Sequence, residues 1–172
     1  MATMIVLVRH GETDWNRERR WQGHADRPLN ETGRAQAREL AEALADESFD
    51  AVYSSDLMRA HETARIVAQR KGLDVTAVPD LRETRLGSWE GLTDDEVAHR
   101  FPGLGRPEDA ETRDEMATRV LEAIRRIAET HPEKRVLVVT HGGPVRAVLH
   151  HCAHPQRDEP IANCSVIWVE VD

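Results

Sequence analysis

Met4-Ile5-Val6-Leu7-Val8-Arg9-His10-Gly11-Glu12-Thr13 (MIVLVRHGET) decides the reading of the fold. The apolar run from Met4 to Val8 stops at Arg9. It is too short for a membrane span or a signal-peptide core, so it reads as a buried strand. A histidine followed by glycine stands at its carboxyl end. The pattern recurs near the other end of the chain. Arg135–Thr140 (RVLVVT) is a second buried strand, and His141-Gly142-Gly143-Pro144 follows it. In an open α/β sheet, ligands bind beyond the carboxyl ends of the strands. Two strand-end histidines, each followed by glycine, therefore predict a site where the backbone closely approaches a ligand.

Between these strands, short apolar runs alternate with amphipathic stretches. Asn30 can cap a helix from about Glu31 to Asp46, with Leu40, Ala41 and Leu44 inward. Ala51–Ser54 reads as a strand. Ser55 or Asp56 caps a helix running to Lys71 and stopped by Gly72. Val75–Val78 is a third strand. Thr93 with Glu96 and Thr112 with Glu115 form capping boxes. The first opens a short helix ending before Pro102. The second opens a long helix carrying Met116, Val120, Ile124 and Ile127 at helical spacing. Phe101–Asp109 reads as an exposed loop, Pro144 to His151 as a helix and Ile161–Val171 as a final strand. This order predicts a three-layer α/β/α arrangement with a mostly parallel sheet, as one domain over residues 1–172.

Composition narrows the function. The net charge of -8 argues against nucleic-acid binding but not against a small anionic substrate, because a pocket's field is set by its nearest charges. Basic charge is nearly all arginine, with Lys71 and Lys134 the only lysines. Arginine suits bidentate phosphate recognition. Cys152 and Cys164 make no disulfide framework and read as small core residues of a cytoplasmic protein that neither spans nor binds a membrane.

The blocks around the histidines resemble the histidine phosphatase superfamily, in the branch that includes cofactor-dependent phosphoglycerate mutase. Arg9-His10-Gly11-Glu12-Thr13 matches its N-terminal signature. Further blocks follow in family order: Asp14-Trp15-Asn16, Trp21-Gln22-Gly23, Ser54-Ser55-Asp56-Leu57-Met58-Arg59-Ala60, Leu81-Arg82-Glu83 with Gly87 and Trp89-Glu90-Gly91, Thr140-His141-Gly142-Gly143, and Asn163-Cys164-Ser165-Val166. Any one is weak; together they span nearly the whole chain. The resemblance implies a phosphoglycerate mutase-like fold and phosphoryl transfer through a phosphohistidine on His10, with no metal and no cofactor. Its members are monomers or homodimers.

The residue types fit that chemistry. Neutral imidazole can attack phosphorus if its other ring nitrogen is held by an acceptor; the resemblance implies that the Gly11 carbonyl is that acceptor. Arg9, Arg59 and His141 would donate to the transferring group, each worth roughly 3 kcal/mol of barrier by analogy with oxyanion-hole donors. Glu83 is the candidate general acid, with Glu12 and Glu90 as competitors; burial and the neighbouring phosphate would favour its protonated form. Thr13, Asn16, Gln22, Gly23 and the Gly142 amide are candidate substrate contacts. Trp15, Trp21 and Trp89 could wall the pocket or pack the core. His150, His151 and His154 read as helix-end imidazoles, since no carboxylate or cysteine pattern completes a metal site.

Phosphatase and mutase use the same residues and differ in whether phospho-His10 meets water or a second substrate. The resemblance implies that mutases carry a longer, more basic insertion between the acid and the second histidine. Here Arg100, Arg106 and Arg113 lie among Asp94, Asp95, Glu96, Glu108, Asp109, Glu111 and Asp114. That balance predicts an open, water-accessible pocket and hydrolysis of a small phosphorylated metabolite, with mutase the alternative. A non-catalytic phosphate-binding domain would be expected to lack His10, Glu83 or His141.

Overall fold

A computed structural model describes residues Met1–Asp172. The elements run β1 (Thr3–Arg9), α1 (Asp14–Arg17), α2 (Glu31–Ala43), β2 (Ala51–Ser54), α3 (Met58–Lys71), β3 (Val75–Ala77), α4 (Asp94–Arg100), α5 (Arg113–Thr130), β4 (Arg135–Thr140), α6 (Gly142–His151) and β5 (Val166–Val171). The sheet order is β3-β2-β4-β1-β5. All neighbours are parallel except β1 and β5. Val6, Val8, Leu137 and Val139 pack on one face against α2 and α3. Ile5, Leu7, Val136 and Val138 pack on the other against α5 and α6. The layering expected from the alternating pattern is the layering observed.

Boundaries differ where local chemistry competes. Helix α3 begins at Met58 with Leu57 as its cap and no side-chain cap bond, so neither Ser55 nor Asp56 serves. Asp56 is drawn off by a two-pronged pair with Arg82, at 2.7 and 2.6 Å. Helix α2 ends at Ala43 rather than Asp46, and α6 starts at Gly142, two residues before Pro144. The last strand covers only Val166–Val171 of the expected Ile161–Val171, because it can extend only where β1 offers a partner. Cys152 is exposed rather than in the core: it caps the C-terminus of α6, where the chain turns back into solvent. Cys164 is half-buried and packs against the α2–α3 side of the core.

Register is what positions the site. Arg9 pairs with Thr140 across β1 and β4, so the next residues, His10 and His141, leave the sheet side by side. Ser54 pairs with Val139 across β2 and β4, which brings Ser55 to the same edge. No helix is long and apolar enough to cross a membrane.

Candidate active site

The His10 and His141 rings lie edge to face with centroids 5.1 Å apart. Both are buried, at 3% and 0% exposure. His10 Nδ1 lies 2.6 Å from the Gly11 carbonyl oxygen. A carbonyl can only accept, so Nδ1 carries the proton and Nε2 keeps its lone pair. Burial holds the pKa of His10 well below the usual imidazole value, helped by the positive charges of Arg59 and Arg9. The ring is therefore neutral at ordinary pH.

His141 is fixed by a different group. Its Nε2 is 2.8 Å from Ser55 Oγ. The Leu57 backbone N–H donates to that same oxygen, at 3.3 Å. With the hydroxyl proton donated to Nε2, the ring carries its own proton on Nδ1; with Nε2 protonated, it donates to the second lone pair of the hydroxyl. Nδ1 is buried and has no hydrogen-bond partner in the protein. Burial first, then Arg59, holds the pKa of His141 well below its usual value too.

Arg59 is only 1% exposed, at the first turn of α3. Its Nη1 and Nη2 donate to the Ala25 and Gly23 carbonyls, at 2.8 and 2.7 Å. No carboxylate pairs with it, and burial pulls its pKa down to about 10. Arg9 Nη1 donates to the Ile161 carbonyl at 2.5 Å. The Nε atoms of both arginines are buried without partners. An uncompensated buried guanidinium costs several kcal/mol, so packing alone gives no reason for Arg59, with the half-buried Arg9 also beside His10. Three unpartnered nitrogens, the two Nε atoms and His141 Nδ1, belong to residues grouped around one neutral imidazole. That grouping suits a tetrahedral oxyanion.

Glu83 follows a short 3-10 turn at Pro79–Leu81. Its Oε2 accepts from the Gly143 N–H at 3.1 Å and its Oε1 from the Thr84 N–H at 2.8 Å. A Cβ on Gly143 would strike the Glu83 carboxylate, so this residue has to be glycine for the carboxylate to reach the amide. The competing acids are engaged elsewhere. Glu90 Oε1 accepts from the His24 and Leu86 amides. Glu12 accepts from Asn30 Nδ2.

A cleft of about 860 Å³ opens above His10, a size that suits a small metabolite. Of the residues expected from sequence, Arg9, His10, Asn16, Gln22, Gly23, Arg59 and Glu83 line it. Gly11, Thr13, His141 and Gly142 are not among the lining residues, and the His141 ring reaches the cleft only beside His10. Thr13 caps α1 and braces Gln22 through a 2.8 Å hydrogen bond. The glycine on the wall is Gly143 rather than Gly142. Trp21 and Trp89 line the cleft with their rings 6.2 Å apart, while Trp15 sits under Arg27 instead. A separate groove of about 830 Å³ along α3 and Leu73–Val75 contains none of these groups. No group of three His, Cys, Asp or Glu side chains is arranged to hold a metal ion. His150 instead faces Asp158, and His154 Nδ1 accepts from the Gln156 amide.

Several contributors, among them Thr63 of Glu62-Thr63-Ala64 and Asn163, stood in the matched blocks without a role assigned to them. Ser55 stood in a quoted block but read only as a helix cap. Thr63 Oγ1 accepts from the Gly11 amide and donates to the Arg59 carbonyl, tying the loop after β1 to α3. Asn163 Nδ2 donates to the His10 carbonyl at 2.9 Å. The charge balance expected of the loop after Gly91 is also reversed at the cleft. Arg106 and Arg113 line it together with Glu111, whose carboxylate is paired with Arg119, while other acids of the stretch are used as braces. Glu96 completes the capping box of α4 and pairs with Arg20. Asp94 accepts from Trp21 Nε1, and Asp109 accepts from Ser88.

Comparison with known proteins gives the family and the fold. A model of the histidine phosphatase superfamily (branch 1) matches residues 5–172. Phosphoglycerate mutase-like protein 4 of Arabidopsis thaliana is 43% identical over 94% of this chain and 76% of its own length. The metal-independent phosphoserine phosphatase of the same plant is 41% identical over 96% of this chain and 75% of its own. Among solved structures, Bacillus stearothermophilus YhfR superposes with a TM-score of 0.87 at 36% identity, covering 99% of this chain and 92% of that one.

Proposed function

The chain belongs to the histidine phosphatase superfamily, branch 1, and on that footing we propose that it is a metal-independent phosphomonoesterase acting on small phosphorylated metabolites. The observation that carries this reading is a buried neutral imidazole whose Nδ1 is committed to a carbonyl, flanked by buried donors without protein partners. His10 Nε2 attacks phosphorus as the ester P–O bond breaks. Arg9, Arg59 and His141 take up the charge on the non-bridging oxygens. Glu83 gives its proton to the leaving alkoxide. Water then attacks phospho-His10, losing a proton to Glu83, and the P–N bond breaks to release phosphate. Asn16, Gln22 and Gly23 on the wall, with Gly11, Thr13 and Gly142 supporting them, would shape the phosphate end.

Arg106 and Arg113 at the outer wall have no carboxylate partner, which supports a leaving group that is itself anionic. The names of the two plant relatives fit, since phosphoglycerate and phosphoserine both carry a carboxylate. A leaving group of that kind is also what a mutase would bind, so the choice of hydrolysis rests on the short stretch between Glu83 and His141.

The test is hydrolysis of para-nitrophenyl phosphate in EDTA, with His10→Ala beside the native protein. EDTA-resistant activity that disappears in His10→Ala is the expected result. Activity restored by a divalent cation, or kept in His10→Ala, would overturn the reading. Phosphate release from 3-phosphoglycerate distinguishes a hydrolase from a mutase. A mutase would instead interconvert the phosphoglycerates when supplied with 2,3-bisphosphoglycerate.

A further inference from the structure

The Glu83 carboxylate can serve as proton donor only if its backbone is held still, and the loop it stands on has no strand or long helix of its own. What holds it comes from elsewhere. Arg119 projects from the second turn of α5 and divides its guanidinium between this segment and Glu111. Its Nη1 donates to the Asp80 and Arg82 carbonyls, at 2.8 and 2.7 Å. Its Nη2 donates to the Glu83 carbonyl at 2.8 Å. Nε and Nη2 together grip the Glu111 carboxylate, at 2.6 and 2.8 Å. Glu111 in turn accepts from the Arg85 amide, and its own amide donates to the Arg85 carbonyl. From the opposite side, His24 Nε2 lies 2.8 Å from the same Glu83 carbonyl oxygen.

We propose that Arg119, braced by Glu111 and opposed by His24, is a positioning residue that aims the Glu83 carboxylate at the leaving-group oxygen; this rests on reading Glu83 as the general acid. The arrangement exceeds what helix packing needs. Three carbonyls in four residues converge on one side chain that does not line the cleft. Both partners of the Arg119–Glu111 pair are mostly buried, with side-chain exposures of 19% and 12%. Such a planar fork fixes orientation as well as distance. A displacement of about 1 Å at a reacting group can cost on the order of 100-fold in rate.

Leaving-group dependence tests this. An acidic phenol departs without a proton, whereas an alkyl alcohol needs one. Arg119→Met and Arg119→Lys are compared with the native protein on para-nitrophenyl phosphate and on 3-phosphoglycerate. A clamp that aims the acid predicts that kcat/KM, which reports only the steps through departure of the leaving group, falls about 100-fold on the alkyl ester and less than about threefold on the aryl ester. The lysine variant keeps the charge and guards against a simple failure to fold; it should show the same selectivity to a smaller degree. Placed in a Glu83→Gln background, Arg119→Met should have little further effect on the alkyl ester. Equal losses on both esters in the Arg119 variants, with a selective loss in Glu83→Gln, would overturn the clamp alone. Equal losses in Glu83→Gln itself would overturn the general-acid reading beneath it.

Discussion

Ser55→Ala probes how the second histidine is held. Ser55 and His141 are both fully buried, and the hydroxyl lies 2.8 Å from Nε2. Leu57 N–H occupies one lone pair of that oxygen, and a serine proton donated to Nε2 would select the Nδ1–H form of His141; that selection is what the variant tests. Alanine leaves Nε2 and the Leu57 amide buried and unpaired, which should cost about 1–3 kcal/mol of stability. It also removes the bias that keeps a proton on Nδ1, the nitrogen without a protein partner. If that bias contributes about 1–2 kcal/mol to stabilising the phosphoryl transition state, kcat falls about 5- to 30-fold. The assay is steady-state hydrolysis of para-nitrophenyl phosphate, with urea unfolding of the same preparation. In a His141→Gln background, where no imidazole remains to be oriented, Ser55→Ala should change kcat by less than about twofold. An unchanged kcat in the single variant, or an equal loss in both backgrounds, would refute the reasoning.

The buried histidines set a pH dependence. Their folded pKa values lie well below the usual 6.5 because burial disfavours the imidazolium. Between the folded value and 6.5 the unfolded chain holds more protons. Stability is therefore full above about pH 6.5 and declines as pH falls, by up to about 1.4 kcal/mol per pH unit for each histidine. Urea unfolding between pH 7 and 5.5 should show this slope, reduced by about one proton in His10→Gln; an identical slope in the variant would count against it. The unpartnered donors predict an anion effect: orthovanadate at about 100 times its Kd should stabilise the protein by about 2.7 kcal/mol. Calorimetry should lose most of that shift in Arg59→Met, and a shift retained in full would separate the anion from Arg59.

Much of the architecture was legible because it follows from periodicity. The runs at Met4–Val8 and Arg135–Thr140 are continuous because both faces of those strands are covered, and Thr93, Thr112 and Asn30 cap the helices expected of them. What was misread depended on competition between distant residues. Asp56 is a good local cap, but Arg82, far along the chain, binds its carboxylate instead. The extent of β5 is set by where β1 ends, which its own sequence does not encode. In the candidate site, residues with chemistry of their own could be proposed from the blocks. Those that act by holding a neighbour could not. Ser55, Thr63, Asn163 and Arg119 are ordinary residue types until register and packing bring them to a ring nitrogen, an amide or a carbonyl.

The same distinction explains how a protein with a net charge of -8 can hold arginines free of carboxylate partners at its candidate site. Along the chain after Gly91 the acids outnumber the arginines, and a count by sequence makes the region repulsive to phosphate. In three dimensions an acid that caps a helix or grips a guanidinium has its field neutralised at close range. Glu96 sits on the Thr93 amide and Arg20, Glu115 on the Thr112 amide, and Glu111 on Arg119. Arg9 and Arg59, by contrast, are given only carbonyl oxygens, which orient a guanidinium without cancelling its charge. Interactions between exposed charges fade over about 8 Å at physiological salt. The overall charge is therefore largely screened at the cleft floor, while a buried, unpaired arginine acts at contact distance and in lower dielectric. Holding such arginines costs stability, and the capped helices and covered sheet faces supply what offsets it. The acidic residues are thus part of how the cleft stays positive, because each one bound in a cap or brace is one that cannot neutralise His10's arginines.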